Sequence, residues 1–332
     1  MKRLYFLLIP LFAVLYSSCT KIQDDGPAPD PLQGLLLTDT LTMYTGNVVK
    51  LNVTVTPTSY DTTKLVWKSS DTSVISVTNR GVITAKNEGT SQISLSNVAE
   101  TKSVSCLVTV KDSLKVGLIA YYPFNNSTAD ASGHNFNGTA IDLTSAPDRH
   151  GKSNSAYYFN GLTSYVTVAD NPALRLYNTS ITLNAWVKLD GYNSSFGDNI
   201  LSKHFTGADQ GWAWGITGYA YSSTGILTYG PGGGSASARG TIIINTSQWH
   251  MVTSVYDLTT RQIKFYVDGV LDNVTNEIPS PNGTIAAQMC IGRDNPEVPT
   301  NGYFVKGTID EVRIYGRKLS VSEIHKLFIA VN

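Results

Sequence analysis

Apolar side chains at every second position constrain this chain more than any other feature. Val49, Leu51, Val53 and Val55 alternate with Lys50, Asn52, Thr54 and Thr56. That period predicts a strand with one face buried and one in water, closed by Pro57. Similar short runs recur at 64–68, 74–77, 81–85, 90–96 and 103–110, separated by turn formers such as Ser70-Asp71 and Asn79-Arg80-Gly81. Short strands at this spacing predict a β-sandwich. Composition agrees: charged residues are 15% of the 332, against about 25% in an average soluble domain. The 25 basic residues balance 25 acidic ones, so no net positive charge drives nucleic-acid binding. A hydrophobic content of 42% is too high for a disordered chain.

The N-terminus reads as an address. Lys2 and Arg3 precede an apolar run over 4–15, too short to span a membrane and of the length of a signal peptide. The run ends at Tyr16-Ser17-Ser18-Cys19. Small residues directly before a cysteine resemble the lipobox of bacterial lipoproteins, although Tyr16 stands where that family has a small aliphatic residue. The resemblance implies a signal peptide over 1–18 and lipidation of Cys19. The alternative is an ordinary secretory peptide. Each buried methylene contributes about 0.8 kcal/mol, so two or three acyl chains would anchor the protein. Asp24 and Asp25 resemble the surface-export signal of Bacteroidota lipoproteins. The expected location is therefore the bacterial cell envelope, at the outer membrane and surface-exposed. Residues 19–32, with Gly26-Pro-Ala-Pro-Asp-Pro31, read as an extended tether.

Residues 33–112 carry the motifs WKSSDTSVISV at 67–77, GVITA at 81–85 and GTSQI at 89–93. Together they resemble the bacterial immunoglobulin-like domain, group 2. The resemblance implies a spacer, with Trp67 as core aromatic and Gly81 supplying a positive φ. Residues 111–115 form a short linker. Over 116–332 the motifs LIAYYPF (118–124), DASG (130–133), AYYFNG (156–161), ITLNAWV (181–187), WHMVT (249–253), FYVDG (265–269) and GTIDEVRIY (307–315) occur in order. They resemble the laminin G-like, concanavalin A-like jelly roll of bacterial surface proteins. The expected fold is thus all-β: an Ig-like sandwich, then a larger jelly-roll sandwich with a short C-terminal helix. That helix is marked by a capping box, Ser320 with Glu323, and by the stripe Ile324, Leu327 and Phe328. Cys106 and Cys290 lie in strand-like runs and read as buried free thiols.

The jelly-roll resemblance implies a calcium site, because the oxygen-rich loop at 130–138 and the region of Asp310 lie together in that family. Asp130 and Asp310 would give carboxylate oxygens, and Gly133 and Asn135 carbonyl or amide oxygens, to a structural Ca²⁺. The alternatives are an Asx-turn at Asp130 and a salt bridge from Asp310 to Arg313 or Lys306. Sugar binding needs aromatic faces ringed by polar groups. Trp212 and Trp214 fall on one side of a strand, Tyr221 follows them, and His204, Arg293 and Tyr303 lie in or near predicted loops. The same two indoles could instead be core. Glycosidases need two carboxylates flanking the bond. The Glu residues of this region, Glu277, Glu297, Glu311 and Glu323, fall in structural motifs or beside prolines, and no catalytic pair or triad is evident.

These readings predict a surface lipoprotein, not an enzyme, whose Ig-like spacer displays a lectin-like domain. Its partners would be a glycan, a polysaccharide or a host or matrix protein, besides the lipid anchor, with no nucleic acid. The second expectation is a structural or protein-adhesion role, and the third a glycoside hydrolase.

Overall fold

The computed structural model describes residues 31–193, 195, 197–205, 210–232, 238–281, 285–294 and 303–330. Cys19 with the whole predicted leader, Glu297 and the tip of the glycine-rich loop at 230–239 lie outside the described residues. The rest is strand, turn and loop with one α-helix, Val321–Ile329. Among the described residues no helix is long and apolar enough to cross a membrane. The chain divides between Lys111 and Asp112 into two compact units.

In the first unit a four-stranded sheet has the order Thr40–Tyr44, Ser103–Lys111, Gly89–Asn97, Leu65–Ser69, and a three-stranded sheet joins Val48–Lys50, Val82–Ala85 and Ile75–Val77. Ile75, Ile83, Ile93, Cys106 and Val108 fill the space between them. Each buried aliphatic contributes about 1.5–3 kcal/mol. The single strand expected over 49–55 is in fact two. Val48–Lys50 pairs with Val82–Ala85, whereas Thr54–Thr56 pairs with Gly34–Leu36. Residues 51–53 carry the chain from one partner to the other. Leu51 stays in the core while Val49 lies exposed, so alternation alone misplaces Val49. Trp67 packs half-buried against the core. Gly81 has φ +74°, and a Cβ there would lie 2.6 Å from the Trp67 ring.

The second unit is a sandwich. Among the described residues an eight-stranded sheet runs Thr144–Ala146, Ala156–Asn160, Lys306–Tyr315, Ile181–Leu189, Trp249–Asp257, Gln262–Val267, Val270–Thr275, with Leu118–Tyr122 also pairing Lys306–Tyr315. A seven-stranded sheet runs Gly138–Ile141, Tyr165–Val168, Met289–Ile291, Gly197–Phe205, Gln210–Thr217, Ile226–Pro231, Ala238–Ile243. Leu183, Ala185, Val187 and Phe265 from one sheet meet Leu201, Ile216, Leu227 and Ile291 from the other. The outer face of the eight-stranded sheet is covered by the C-terminal helix. Its Ile324 and Leu327 pack with Trp186, Met251 and Tyr315, and Phe328 stacks on Trp186 at 5.7 Å. The helix starts with the predicted capping box: Ser320 Oγ accepts from Glu323 N, and the Glu323 carboxylate accepts from Ser320 N at 2.9 Å. Cys106 and Cys290 are buried free thiols, and burial pushes the Cys290 thiol up to about 12.

Candidate functional site

The strand Gln210–Thr217 decides what the seven-stranded sheet can offer a ligand. Trp212 and Trp214 share a face, as the alternation requires, but it is the core face. Both are 0% exposed. The Trp212 indole N–H donates to the Leu174 carbonyl at 3.0 Å, and that of Trp214 to Ser254 Oγ at 2.8 Å across the sandwich. The expected pair of ligand-binding tryptophans is therefore corrected. They are two core wedges whose polar ends are satisfied inside the protein, as buried tryptophans require.

The opposite face of that strand carries Gly211, Ala213 and Gly215. Strand register extends the pattern. Thr167, Cys290, Ser202, Ala213 and Gly230 stand side by side across five neighbouring strands, so one row of the outer face bears only small side chains. A second row sets Gly215 beside Thr228 and Thr228 beside Arg239. Such rows let a covering segment approach the sheet closely, and Ser202 and Cys290 in the first are fully buried, with Ser202 Oγ donating to the Arg293 carbonyl.

Larger groups gather beside these rows. Tyr221, in the connection after Thr217, lies under the Arg239 guanidinium at 4.2 Å. Both are half-buried, and the buried Arg239 Nε has no hydrogen-bond partner among the described residues. Tyr303 is also half-buried. Burial raises its hydroxyl pKa, and the nearby Asp294 and Tyr221 push it the same way. His204 Nδ1 is 2.7 Å from Asp294 Oδ1, with both residues buried. Arg293 is buried as well. Its guanidinium lies 4.6 Å from the Tyr165 ring and 4.8 Å from the Phe304 ring, and its carbonyl accepts from Ser202 Oγ. Of the four other residues expected to meet ligand, Tyr221 and Tyr303 are half-buried, whereas His204 and Arg293 are buried. His204 and Arg293 are corrected to supports that pin the turn onto the sheet. Sequence reasoning missed Asp294 and Arg239. The signal available was the run of small residues alternating with Trp212 and Trp214.

The proposed calcium ligands do not form an oxygen cage. Asp130 Oδ1 accepts from the backbone N–H of Tyr121 and Ser132, each at 2.9 Å; Oδ2 accepts from Ser132 Oγ and Phe136 N. Four donors fill the carboxylate's acceptor sites, so Asp130 organises the loop as an Asx-turn residue. Gly133 and Asn135 take φ +94° and +61° within the turn it closes. Asp310 is buried on the face covered by the C-terminal helix, with Oδ2 3.7 Å from the Arg149 guanidinium. Arg149 also stacks on Trp186 at 4.6 Å and donates to the Ala330 carbonyl. A dication beside this guanidinium would be repelled. Among the described residues Asp310 Oδ1 is without a hydrogen-bond partner, and burial with Glu311 alongside pushes the carboxyl up to about 8. Among the described residues no three His, Cys, Asp or Glu side chains gather as around a metal. As placed, Asp130, Gly133, Asn135 and Asp310 do not fit calcium.

Two of the glutamates weighed as glycosidase groups are committed elsewhere. Glu311 accepts from the Tyr121 hydroxyl at 2.9 Å and pairs with Arg313. Glu323 caps the helix and pairs with Arg317 at 2.8 Å.

Residues 159–325, half of the chain, match the family profile of the concanavalin A-like lectin/glucanases superfamily, and 36–108 match the bacterial Ig-like domain, group 2. No curated protein matches the chain. Among solved structures, domain 4 of AbnA, a GH43 extracellular arabinanase from Geobacillus stearothermophilus in complex with arabinotriose, is similar at 22% identity and TM-score 0.51, over 63% of this chain and 97% of that one. The binding domain of Paraclostridial Mosquitocidal Protein 1 is similar at 15% identity and TM-score 0.51, over 65% of this chain and 52% of that one. The botulinum neurotoxin type C structure, whose cell entry depends on two ganglioside molecules, is similar at 18% identity and TM-score 0.50, over 64% and 51%. The chain thus spans about half the length of the toxin structures. At these identities the likeness shows the fold. On its matched profile the chain belongs to the concanavalin A-like lectin/glucanases superfamily, with a group 2 bacterial Ig-like domain preceding that module.

Proposed function

We propose that the second unit binds carbohydrate without catalysis, on the outer face of its seven-stranded sheet. The observation that carries the reading is the meeting of Tyr221, Arg239 and Tyr303 beside the small residues Gly215 and Thr228 of that face. A half-exposed tyrosine offers an apolar ring face with a polar tip, and the half-buried Arg239 guanidinium stacked beside it brings positive charge and N–H donors, which together suit a sugar's C–H face and its hydroxyls. The arabinotriose and ganglioside named for two similar structures support the same class of ligand. In this reading the Ig-like unit is a spacer and Cys19 carries the lipid that holds the protein to the outer membrane.

The test is calorimetric titration of a soluble polysaccharide panel, arabinan included, against the wild type and Tyr221→Ala. Binding should weaken about tenfold in the variant, equivalent to about 1.4 kcal/mol. Equal binding would sink the site.

A second reading rests on a different observation. Ile242, Ile243, Val270, Leu271 and Val274 are exposed on Ala238–Ile243 and Val270–Thr275, the last strands of the two sheets, which Asp272 ties together by accepting from Thr241 and Ile242. An apolar patch of this kind marks a protein-binding surface. Binding to a protein partner that Leu271→Ser abolishes, with no saccharide binding, would establish it.

A further inference from the structure

The first unit holds a groove of its own. Its volume is about 360 Å³, inside the range of about 300–1,000 Å³ typical of small-ligand clefts. The floor is apolar, built from Leu51, Leu65 and the Trp67 indole. The indole is held in place by the neighbouring turn. The Asn79–Gly81 turn lies on its six-membered ring, where only glycine leaves room, and Leu51 N donates to the Gly81 carbonyl at 2.9 Å.

The rim has the opposite character. Asn52 and Asn79 bring amides, and Thr62 and Thr63 bring hydroxyls, all exposed. Lys50 and Arg80 also line the groove, and no acidic residue does. Neither cation forms an ion pair among the described residues. Asp61, the acid next to the lining residue Thr62, is occupied instead by the backbone N–H and hydroxyl of Thr63 at 3.0 and 2.6 Å. Lys68 pairs with Glu100 at 2.8 Å, without either lining cation.

Each possible occupant meets this chemistry differently. An apolar peptide would leave the amide rim without partners. A neutral sugar would use the floor and the amides but neither cation. A simple polyanion would use the cations alone. A ligand that is ring-shaped, rich in hydroxyls and anionic uses all three. We propose that this groove binds an acidic polysaccharide, with the C–H face of one sugar on Trp67 and its carboxylate or sulfate groups against Lys50 and Arg80. The inference does not rest on the site in the second unit.

The test titrates the full chain with polygalacturonate, alginate, hyaluronan and chondroitin sulfate. Two comparators are fully methyl-esterified polygalacturonate, which keeps the sugar and loses the charge, and inorganic polyphosphate, which keeps only the charge. At least one acidic polysaccharide should bind tenfold or more tightly than either comparator. The exposed pair Lys50→Ala/Arg80→Ala should weaken that binding at least tenfold while the unfolding midpoint holds. Trp67→Phe, which keeps an aromatic floor, should weaken it less. Tyr221→Ala should leave it unchanged, which separates this groove from the sheet site. Polyphosphate binding as tight as the polysaccharides, an unaffected Lys50→Ala/Arg80→Ala variant, or no binding across the panel would each overturn the proposal.

Discussion

Replacing Trp214 tests the correction on which the site now rests. The indole is fully buried and donates to Ser254 across the sandwich. Trp214→Ala removes a large core side chain, at a cost of about 3–5 kcal/mol including the cavity left behind. Trp214→Phe keeps most of the apolar contact but loses the hydrogen bond and leaves Ser254 Oγ unsatisfied, at a cost of about 1–3 kcal/mol. A domain is stable by about 5–15 kcal/mol in all, so the alanine variant forfeits a large share of it. Urea unfolding followed by tryptophan fluorescence reads this unit, because Trp186, Trp212, Trp214 and Trp249 belong to it and only Trp67 to the other. With m near 1–3 kcal/mol/M, the alanine midpoint should fall by about 1 M or more. Folded Trp214→Phe should bind ligand within about twofold of the wild type, a difference well below the 1.4 kcal/mol of a tenfold change. If Trp214→Ala instead keeps its midpoint and loses binding, the indole meets ligand and the burial argument is wrong.

Other outcomes follow from single sites. Asp310 is held near 8 against an ordinary 3.8. Between those values the folded protein keeps a proton that the unfolded chain has lost. Its stability contribution is therefore full below about pH 4 and is lost as the pH rises through 8. Asp310→Asn should be more stable than the wild type at pH 8, by up to a few kcal/mol at about 1.4 per pH unit, and nearly equal to it at pH 4, in urea titrations at both. A variant less stable at pH 8 would show that the ionised carboxylate holds a cation or Arg149. Gly81→Ala must accept φ +74° and move the Trp67 ring. It should cost about 1–3 kcal/mol, read as a fall in midpoint of the first unit, and an unchanged midpoint would contradict the packing described.

The legible parts of the sequence were the local ones. Ser320 and Glu323 lie three residues apart and satisfy each other, so the capping box needs no tertiary knowledge. Gly81 and Trp67 were readable through a motif whose turn and core aromatic are close in the chain. The strand break after Lys50 was not, because residues 51–53 continue the alternation while changing partners. Alternation also placed Trp212 and Trp214 on one face without saying which face the other sheet would cover. Asp130 posed a different difficulty. An Asx-turn and a calcium loop draw on the same oxygens and turn formers, and only the four donors converging on the carboxylate separate them. Asp294 was invisible for a third reason: its partner His204 lies 90 positions earlier.

The central claim is that the seven-stranded sheet presents a saccharide site at Tyr221, Arg239 and Tyr303. The most direct measurement is saccharide binding by the full chain and its Tyr221→Ala and Arg239→Ala variants, each with calcium and with chelator. The account predicts a saccharide whose affinity falls about tenfold in either variant and is the same in both solutions. Binding that survives both substitutions, or vanishes with chelator, would contradict it.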